Sequence, residues 1–232
     1  MSIYTREVQY INLLSQRPYK VSELSEKLFI SEPTVRRDIL RLLEKELVTR
    51  KSGVIFLKTS SPDKRIPLFI RHSEQNEGKE IIARRAVKQV KDGYVIMLDA
   101  STTAYHILPH LINFKNILVI TNGAKTAMES ASMGIRTICT GGEIALESFC
   151  YVGVDAEDIL KRYNADIAFF SCRGITDDGI VSDNSILENS VRRIMINNSR
   201  ESYLLCDKSK FQKKYLNTLC NVNDITGVIS DT

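Results

Sequence analysis

The segment Ser31-Glu32-Pro33-Thr34-Val35-Arg36-Arg37-Asp38 places two arginines beside small hydroxyl residues, with Arg41 one helical turn further on. Arginine forks match the paired acceptors on the major-groove edge of guanine, and a neighbouring arginine can hold backbone phosphate. That is the chemistry of reading DNA. A second set of polar groups falls in four short runs, Asp99-Ala100-Ser101-Thr102-Thr103, Thr121-Asn122-Gly123, Thr140-Gly141-Gly142 and Asp207-Lys208-Ser209-Lys210. Small hydroxyl residues opening a helix offer hydroxyls and backbone N–H groups to an anion, and glycines let backbone approach a ligand closely. With Lys208 and Lys210 these runs suit a phosphate, while Asp99 or Asp207 can accept hydrogen bonds from sugar hydroxyls. Any one run reads most simply as a strand-to-helix loop in which Ser101 and Thr102 cap a helix. Four that converge read as a binding site.

The elements that must hold these residues can be traced from apolar spacing. Val21, Leu24 and Leu28 recur at helical intervals, Ser22 is a suitable cap, and a first short helix is predicted. Ser31 can cap a second helix, with Glu32 favoured by the helix dipole and Pro33 tolerated in the first turn. In it Val35, Ile39, Leu42 and Leu43 share one face, leaving Thr34, Arg37 and Arg41 as an outward stripe. Arg36 sits at the margin of the buried face, where phosphate or an ion pair on the helix surface suits it better than a base. Tyr4, Val8, Ile11 and Leu14 give an earlier amphipathic helix, closed by a turn at Arg17-Pro18-Tyr19-Lys20. Residues 47–57 carry two β-rich runs about Ser52-Gly53 and predict a hairpin whose tip holds Arg50 and Lys51 near backbone phosphate. Together these predict a winged helix-turn-helix domain over residues 1–58.

Charge segregates with this domain. Residues 1–65 hold 13 Lys/Arg against 8 Asp/Glu, whereas residues 66–232 hold 19 against 20, so the whole basic excess is N-terminal. Such a division is the footprint of a polyanion-binding module attached to a neutral one. The bland reading, a three-helix packing module with solvated arginines, does not account for it. A length of 232 residues suits one small and one larger domain. The polar run 58–65, which contains Pro62, starts the break, and residues 59–76 are expected to be linker, with His72 isolated there. The apolar runs fall far short of the ~20 residues of a spanning helix, and five cysteines without a C-x-x-C pair suit a reducing compartment. A soluble, cytoplasmic protein with no membrane partner is expected. Cys139, Cys172 and Cys206 are expected to be core thiols.

Beyond residue 77 strand and helix patterns alternate. Apolar runs at 95–98, 117–120, 137–139, 167–170 and 203–206 suit buried parallel strands, with helices over 79–90, 102–111, 122–131 and 185–197. An open, Rossmann-like α/β sheet follows, and such sheets gather ligands at the carboxyl ends of their strands. The four polar runs stand there.

The stretch from Thr5 to Leu57, with the 31–38 segment as hallmark, resembles the helix-turn-helix domain of the DeoR family of bacterial transcriptional repressors. It departs at Lys51-Ser52-Gly53-Val54, where family members usually carry His-Gly-Gly-Ala. Residues 79–230 resemble the family's sensor domain through Lys79 with Ile82-Ala83, Asp99 with Thr102-Thr103, Val119-Ile120-Thr121-Asn122, Gly141-Gly142, Gly174-Ile175 with Gly179, and residues 207–211. Ser101 stands where glycine is common, and Gly78-Lys79 where Glu-Lys is common. The resemblance implies a sugar-phosphate-isomerase-like fold for residues 77–232, and a repressor released from its operator by a phosphorylated sugar.

The expected DNA-binding residues are therefore Ser31, Thr34, Arg36, Arg37, Arg41, Arg50 and Lys51. The expected effector-binding residues are Asp99, Ser101, Thr102, Thr103, Asn122, Gly141, Gly142, Asp207, Lys208 and Lys210. The partners are a double-stranded operator, a phosphorylated sugar and a second copy of the chain in a dimer or tetramer, with no cofactor. Reading half-sites requires at least two copies. An activator of the same architecture is one alternative. An isomerase-like enzyme is another, since Asp177, Asp178, Asp183 and Glu188 are available as proton-abstracting carboxylates. Glu188 with Val191, Arg192, Arg193 and Ile194 reads more simply as one helix, in which Arg192 or Arg193 lines the pocket or pairs with Glu188. The run 173–179 reads as a turn-rich loop. His106 and His110 have metal-ligand spacing, but Pro109 interrupts their helix and no further ligand is near, so surface histidines and no metal are expected.

Overall fold

A computed structural model describes residues 3–45, 47–58, 76–146 and 148–232. Most of the expected linker, 59–75, and His72 with it, lie outside the described residues. The chain divides into two compact units, Met1–Glu74 and Gln75–Thr232.

In the first unit, helix α1 (Ile3–Gln16) is followed by β1 (Tyr19–Lys20), α2 (Val21–Leu28), α3 (Glu32–Glu44), β2 (Val48–Lys51) and β3 (Val54–Leu57). Tyr10, Ile11, Leu24, Val35, Ile39, Leu42 and Ile55 form its buried centre, so the inward faces read for α2 and α3 pack, while in α1 Ile11 and Leu14 pack as expected, Tyr10 joins them unforeseen, and the side chains of Tyr4 and Val8 lie outside the described ones. The predicted turn at 17–20 is in part a strand. Tyr19 and Lys20 pair with Ile55 and Val54, giving a three-stranded sheet in the order β1-β3-β2. A two-residue strand has no periodicity to read, and it exists because β3 supplies the partner. The N-cap of α2 is Lys20 rather than Ser22, with the Glu23 carboxylate accepting from the Lys20 N–H at 2.7 Å. The hairpin turns at Ser52 and Gly53, whose φ angles of 49° and 79° are the left-handed pair that a two-residue hairpin loop requires.

The second unit opens with α4 (Asn76–Ala86) and is built on six parallel strands in the order β14-β12-β9-β4-β5-β6. These are β4 (Val95–Leu98), β5 (Leu118–Thr121), β6 (Arg136–Cys139), β9 (Ala165–Ser171), β12 (Ser199–Cys206) and β14 (Gly227–Ser230). Helices α5 (Thr102–Tyr105), α6 (Leu108–Leu111), α7 (Ala124–Ser132), α8 (Val154–Lys161) and α9 (Ile186–Asn197) lie between them. Ile96, Leu98, Val119, Ile167 and Phe169 pack toward α4, α5 and α6, and Met97, Ile120 and Ala168 pack toward α8 and α9. With both faces covered, the central strands must be apolar throughout, which is why they read as continuous runs. The expected 102–111 helix is two short helices, with His106 capping the first and Pro109 inside the second.

Two smaller sheets complete the unit. Strands β7 (Glu143–Ala145) and β8 (Cys150–Val152) form a hairpin, and β10 (Gly174–Ile175), β11 (Ile180–Asp183) and β13 (Asn217–Asn221) form an antiparallel sheet. The run 173–179 is therefore a strand and a hairpin turn rather than loop alone. Cys139 is exposed, not core, because β6 is the edge strand, whereas Cys172 and Cys206 are buried. Nor are the two histidines plain surface groups. His106 Nδ1 lies 2.7 Å from Thr102 O, and His110 Nε2 lies 3.1 Å from Glu80 Oε1.

Candidate functional site

Helix α3 owes its position to its buried face and to one charged anchor. Asp38 is 1% exposed, accepts from Arg6 Nε at 2.8 Å and Tyr10 Oη at 3.4 Å, and so fastens α3 to α1. Burial and the adjacent Asp38 charge push the Tyr10 hydroxyl well above its ordinary pKa. The spacing of Asp38, i+3 from Val35 and i−4 from Leu42, places it on the buried face of α3. Its i+3 neighbour Arg41 donates to Asp38 Oδ1 at 3.3 Å, and Arg36 pairs with Glu32 at 3.0 Å across one turn. Arg37 is exposed and makes no ion pair among the described residues. Ser31 occupies the N-cap position, but its hydroxyl meets the Thr34 hydroxyl at 2.9 Å instead of a backbone N–H. Arg50 and Lys51 are exposed on β2 at the hairpin tip.

In the second unit the strand order reverses between β4 and β9, the place where open α/β sheets leave a crevice at their carboxyl ends. Asp99 fills it. Its N–H continues the ladder to Phe169 O at 3.1 Å, and its carboxylate accepts from the N–H of Ser101 at 3.0 Å and of Ser171 at 3.1 Å. Arg192 Nε adds a bond at 3.0 Å to Asp99 Oδ2, while its two terminal nitrogens reach Asp183 and Glu188, each at 3.0 Å. Arg192 is 7% exposed. Burial disfavours its charge, but the carboxylates of Asp183, Asp99 and Glu188 outweigh that cost and raise its pKa. For Asp183, burial is the largest influence and acts upward, but the Arg192 charge, the N–H bonds from Asn184 and Ser185 and the Arg173 charge together outweigh it, so its pKa falls. Of the four carboxylates considered for proton abstraction, Asp183 and Glu188 are thus committed to one buried guanidinium, and Asp177 and Asp178 stand exposed in the β10–β11 turn.

The loop after β12 meets Asp99 through Ser171. Lys210 Nζ donates to Ser171 Oγ at 2.6 Å and lies 3.5 Å from Asp207, whose Oδ1 accepts from the Ser209 N–H at 3.0 Å. Burial raises the Asp207 pKa, but Lys210, the bonds from Ser209 and the Lys79 charge bring it below its ordinary value. Lys208 is exposed, and its N–H donates to Asp231. Lys79 is 5% exposed, and its charge also acts on His106. Ser101 Oγ caps α5 by accepting from the Ala104 N–H at 3.1 Å, with Thr102 and Thr103 buried behind it.

The loop after β5 packs against the loop after β4. A Cβ at Gly123 would come within 3.1 Å of Ala100 Cα and 2.8 Å of Thr126 Oγ1, so only glycine fits. Asn122 is 3% exposed. Its amide donates to Tyr151 O at 3.0 Å, while its Oδ1 is buried without a hydrogen-bond partner among the described residues. Gly141 and Gly142, two strands out from β4, face their own neighbourhood, for a Cβ on Gly142 would meet Val152 O at 3.1 Å and Ala156 N at 3.2 Å. Asp99, Ser101, Asp207 and Lys210 are therefore linked through shared contacts, Asn122 is tied to Tyr151 of β8 beside the neighbouring Gly123–Ala100 contact, and the Gly141-Gly142 pair supports the β7–β8 hairpin. Ser171 escaped the sequence reading of the pocket, and Asp183 entered it only as a candidate proton-abstracting carboxylate. Ser171 carried one signal, a hydroxyl directly after the apolar run 167–170.

Among the described residues no helix is long and apolar enough to cross a membrane. The DeoR-like helix-turn-helix domain matches residues 6–60, and the DeoR C terminal sensor domain matches residues 74–232. The L-fucose operon activator of Escherichia coli (strain K12) is 30% identical, over 94% of this chain and 90% of that protein. The glycerol-3-phosphate regulon repressor of the same organism is 29% identical, over 95% of this chain and 88% of that protein. In fold, the chain is similar to a translation initiation factor eIF-2B from Pyrococcus horikoshii OT3, with a TM-score of 0.50 and 14% identity over 99% of this chain and 88% of that one. The order of the two domains, helix α3 with its exposed Arg36 and Arg37 and the α/β unit that follows in sequence agree with these matches, and the chain belongs to the DeoR family of DNA-binding transcriptional regulators.

Proposed function

We propose that this regulator is a repressor of a sugar or related carbon-source operon and leaves its operator when a phosphorylated sugar occupies the carboxyl edge of the second unit. Within α3, Arg37 and Thr34 read bases. Arg41 reaches a base when it leaves Asp38, and Arg36, Arg50, Lys51 and Ser31 hold phosphate. In the sensor, Lys210, Lys208, Ser101, Thr102 and Thr103 take the phosphate, while Asn122, Asp99 and Asp207 face the sugar hydroxyls, with Gly141 and Gly142 shaping the far wall. One observation carries the ligand reading. Asn122 Oδ1 is a buried acceptor lacking a donor among the described residues, and a buried polar atom left unpaired costs roughly 1–3 kcal/mol. A sugar hydroxyl at the end of β5 would remove that cost.

Control is linkage: an effector that prefers the state with misplaced reader helices lowers operator affinity by its differential affinity for the two states. Two copies or more are required, since half-site spacing is what a sensor can change. Activation is the second reading, favoured by the L-fucose operon activator, which is 30% identical over 94% of this chain. A thermal-shift screen of phosphorylated against unphosphorylated sugars tests the ligand class, because a ligand of the native state raises its apparent stability. A rise confined to phosphorylated members supports the reading. Equal rises with both, or conversion of a sugar phosphate to its isomer, contradict it.

A further inference from the structure

Large apolar side chains stand exposed around the N-terminus of α9. Ile186 and Leu187 are 60% and 47% exposed, Leu146 and Phe149 in the β7–β8 loop 80% and 41%, Leu216 before β13 84%, and Val154 at the start of α8 70%. Hydrogen bonds gather these positions. Ser148 Oγ in the hairpin loop donates to Glu188 Oε1 at 3.1 Å, and Asn217 Nδ2 donates to Asn184 O at 2.8 Å beside Leu216. Asn189 and Arg193 bind the β13 backbone on one flank of α9, while Val191 and Met195 pack with Ala156 and Leu160 of α8 on the other. The apolar centre thus runs from α8 across α9 to β13.

From these features we propose that this face is where a second copy of the chain docks, two-fold symmetrically. Six such side chains expose several hundred Å², the size at which apolar patches on soluble chains mark interaction sites, and a polar rim brings the face to roughly 800 Å² per partner. The rim is charged in opposite senses at its two ends. Exposed Glu143 and Asp155 border the α8 end, where Asp158 pairs with Lys161 at 3.0 Å, and exposed Lys213 and Lys214 border the β13 end. A two-fold axis near Ile186 and Leu187 brings the acidic end of one copy against the basic end of the other, the self-complementarity that an isologous interface needs. A reader of paired half-sites requires such a second copy. The face also lies within reach of the pocket, since Ser148, Glu188, Arg192 and Asp99 form one hydrogen-bonded chain from the hairpin loop to the β4 loop.

The inference rests on the oligomeric part of the functional reading above, but its test uses neither DNA nor effector. Sedimentation equilibrium of the full chain compares wild type with Leu187→Glu, Leu216→Glu and the control Met128→Glu, an exposed apolar residue on α7. Circular dichroism melts verify folding, and Leu216→Glu serves if Leu187→Glu unfolds. The expected result is self-association of wild type and of Met128→Glu, and at least a tenfold weaker association constant for the face variants. Wild-type association in folded face variants would overturn the face and leave the oligomeric reading standing. A monomeric wild type, or equal weakening by Met128→Glu, would overturn the face as well.

Discussion

Phe29 closes α2 with a left-handed backbone, φ 53° and ψ 44°, and is 94% exposed. A non-glycine residue there costs roughly 1–2 kcal/mol, and an exposed ring recovers nothing from packing. Phe29→Gly should therefore stabilise the N-terminal unit by about 1 kcal/mol, read as greater hydrogen-exchange protection of α2 and α3 amides in the full chain. Reduced protection would mean that the ring packs in solution. Arg192 behaves oppositely. Replacing it with leucine leaves Asp99, Asp183 and Glu188 buried without their cation, and breaking a buried ion pair costs about 3–5 kcal/mol. Urea unfolding of Arg192→Leu should show at least that loss; a change within 1 kcal/mol would show the cluster to be solvated. At the reader helix, Arg37→Ala should cost about 1–3 kcal/mol at the preferred base pair alone. Lys51→Ala should weaken binding to all sequences and reduce the salt dependence by about one phosphate contact. If the two variants behaved alike in a competition assay across DNA sequences, the division between base and phosphate contacts would fail.

At the scale of elements, His106 closes α5 by its bond back to Thr102 O in the first turn of that helix. Burial is the largest influence on it and lowers its pKa, with Lys79 and Lys125 acting in the same direction and Glu80 against. A histidine kept neutral in the fold but protonated in the unfolded chain withdraws stability as pH falls. The loss begins as pH drops below about 6.5 and ends at the lower folded pKa, with a limit of about 1.4 kcal/mol per pH unit. His106→Gln should flatten that part of the curve for the second unit, and an unchanged slope would assign it elsewhere. The legibility of elements follows the same physics. Strands β4, β5, β9 and β12 are visible in the sequence because burial on both faces forces continuous apolar runs, and β6 is visible as the run 137–139 although it is an exposed edge strand. Strand β14, whose Val228 is 38% exposed at the sheet edge, has no such run. Strands β1 and β11 pair with strands distant in sequence, β3 and β13, and β10 is only two residues long. In the candidate site, Asp99, Asp207 and Lys210 are legible as polar residues following apolar strands. Asp183 and Ser171 are not, because their roles depend on a guanidinium and a lysine that only the fold brings near.

For the whole molecule, the segregation of basic charge into residues 1–65 separates the two tasks physically. The basic unit carries the salt-dependent, sequence-independent share of DNA affinity, while the second unit is close to neutral and can evolve around a small ligand without altering that field. Charge changes at the sensor's carboxyl edge should leave DNA affinity intact when no effector is present. Lys210→Ala accordingly should bind operator as wild type does but lose its response to a sugar phosphate; loss of both together would indicate unfolding. The most direct measurement is an anisotropy titration of operator DNA, selected by the protein itself from a random pool, with and without each sugar of a phosphorylated and unphosphorylated set. The expected result is at least a tenfold loss of affinity with one phosphorylated sugar and none with its unphosphorylated counterpart. Unchanged affinity with every phosphorylated member, or equal loss with both forms, would contradict the central claim.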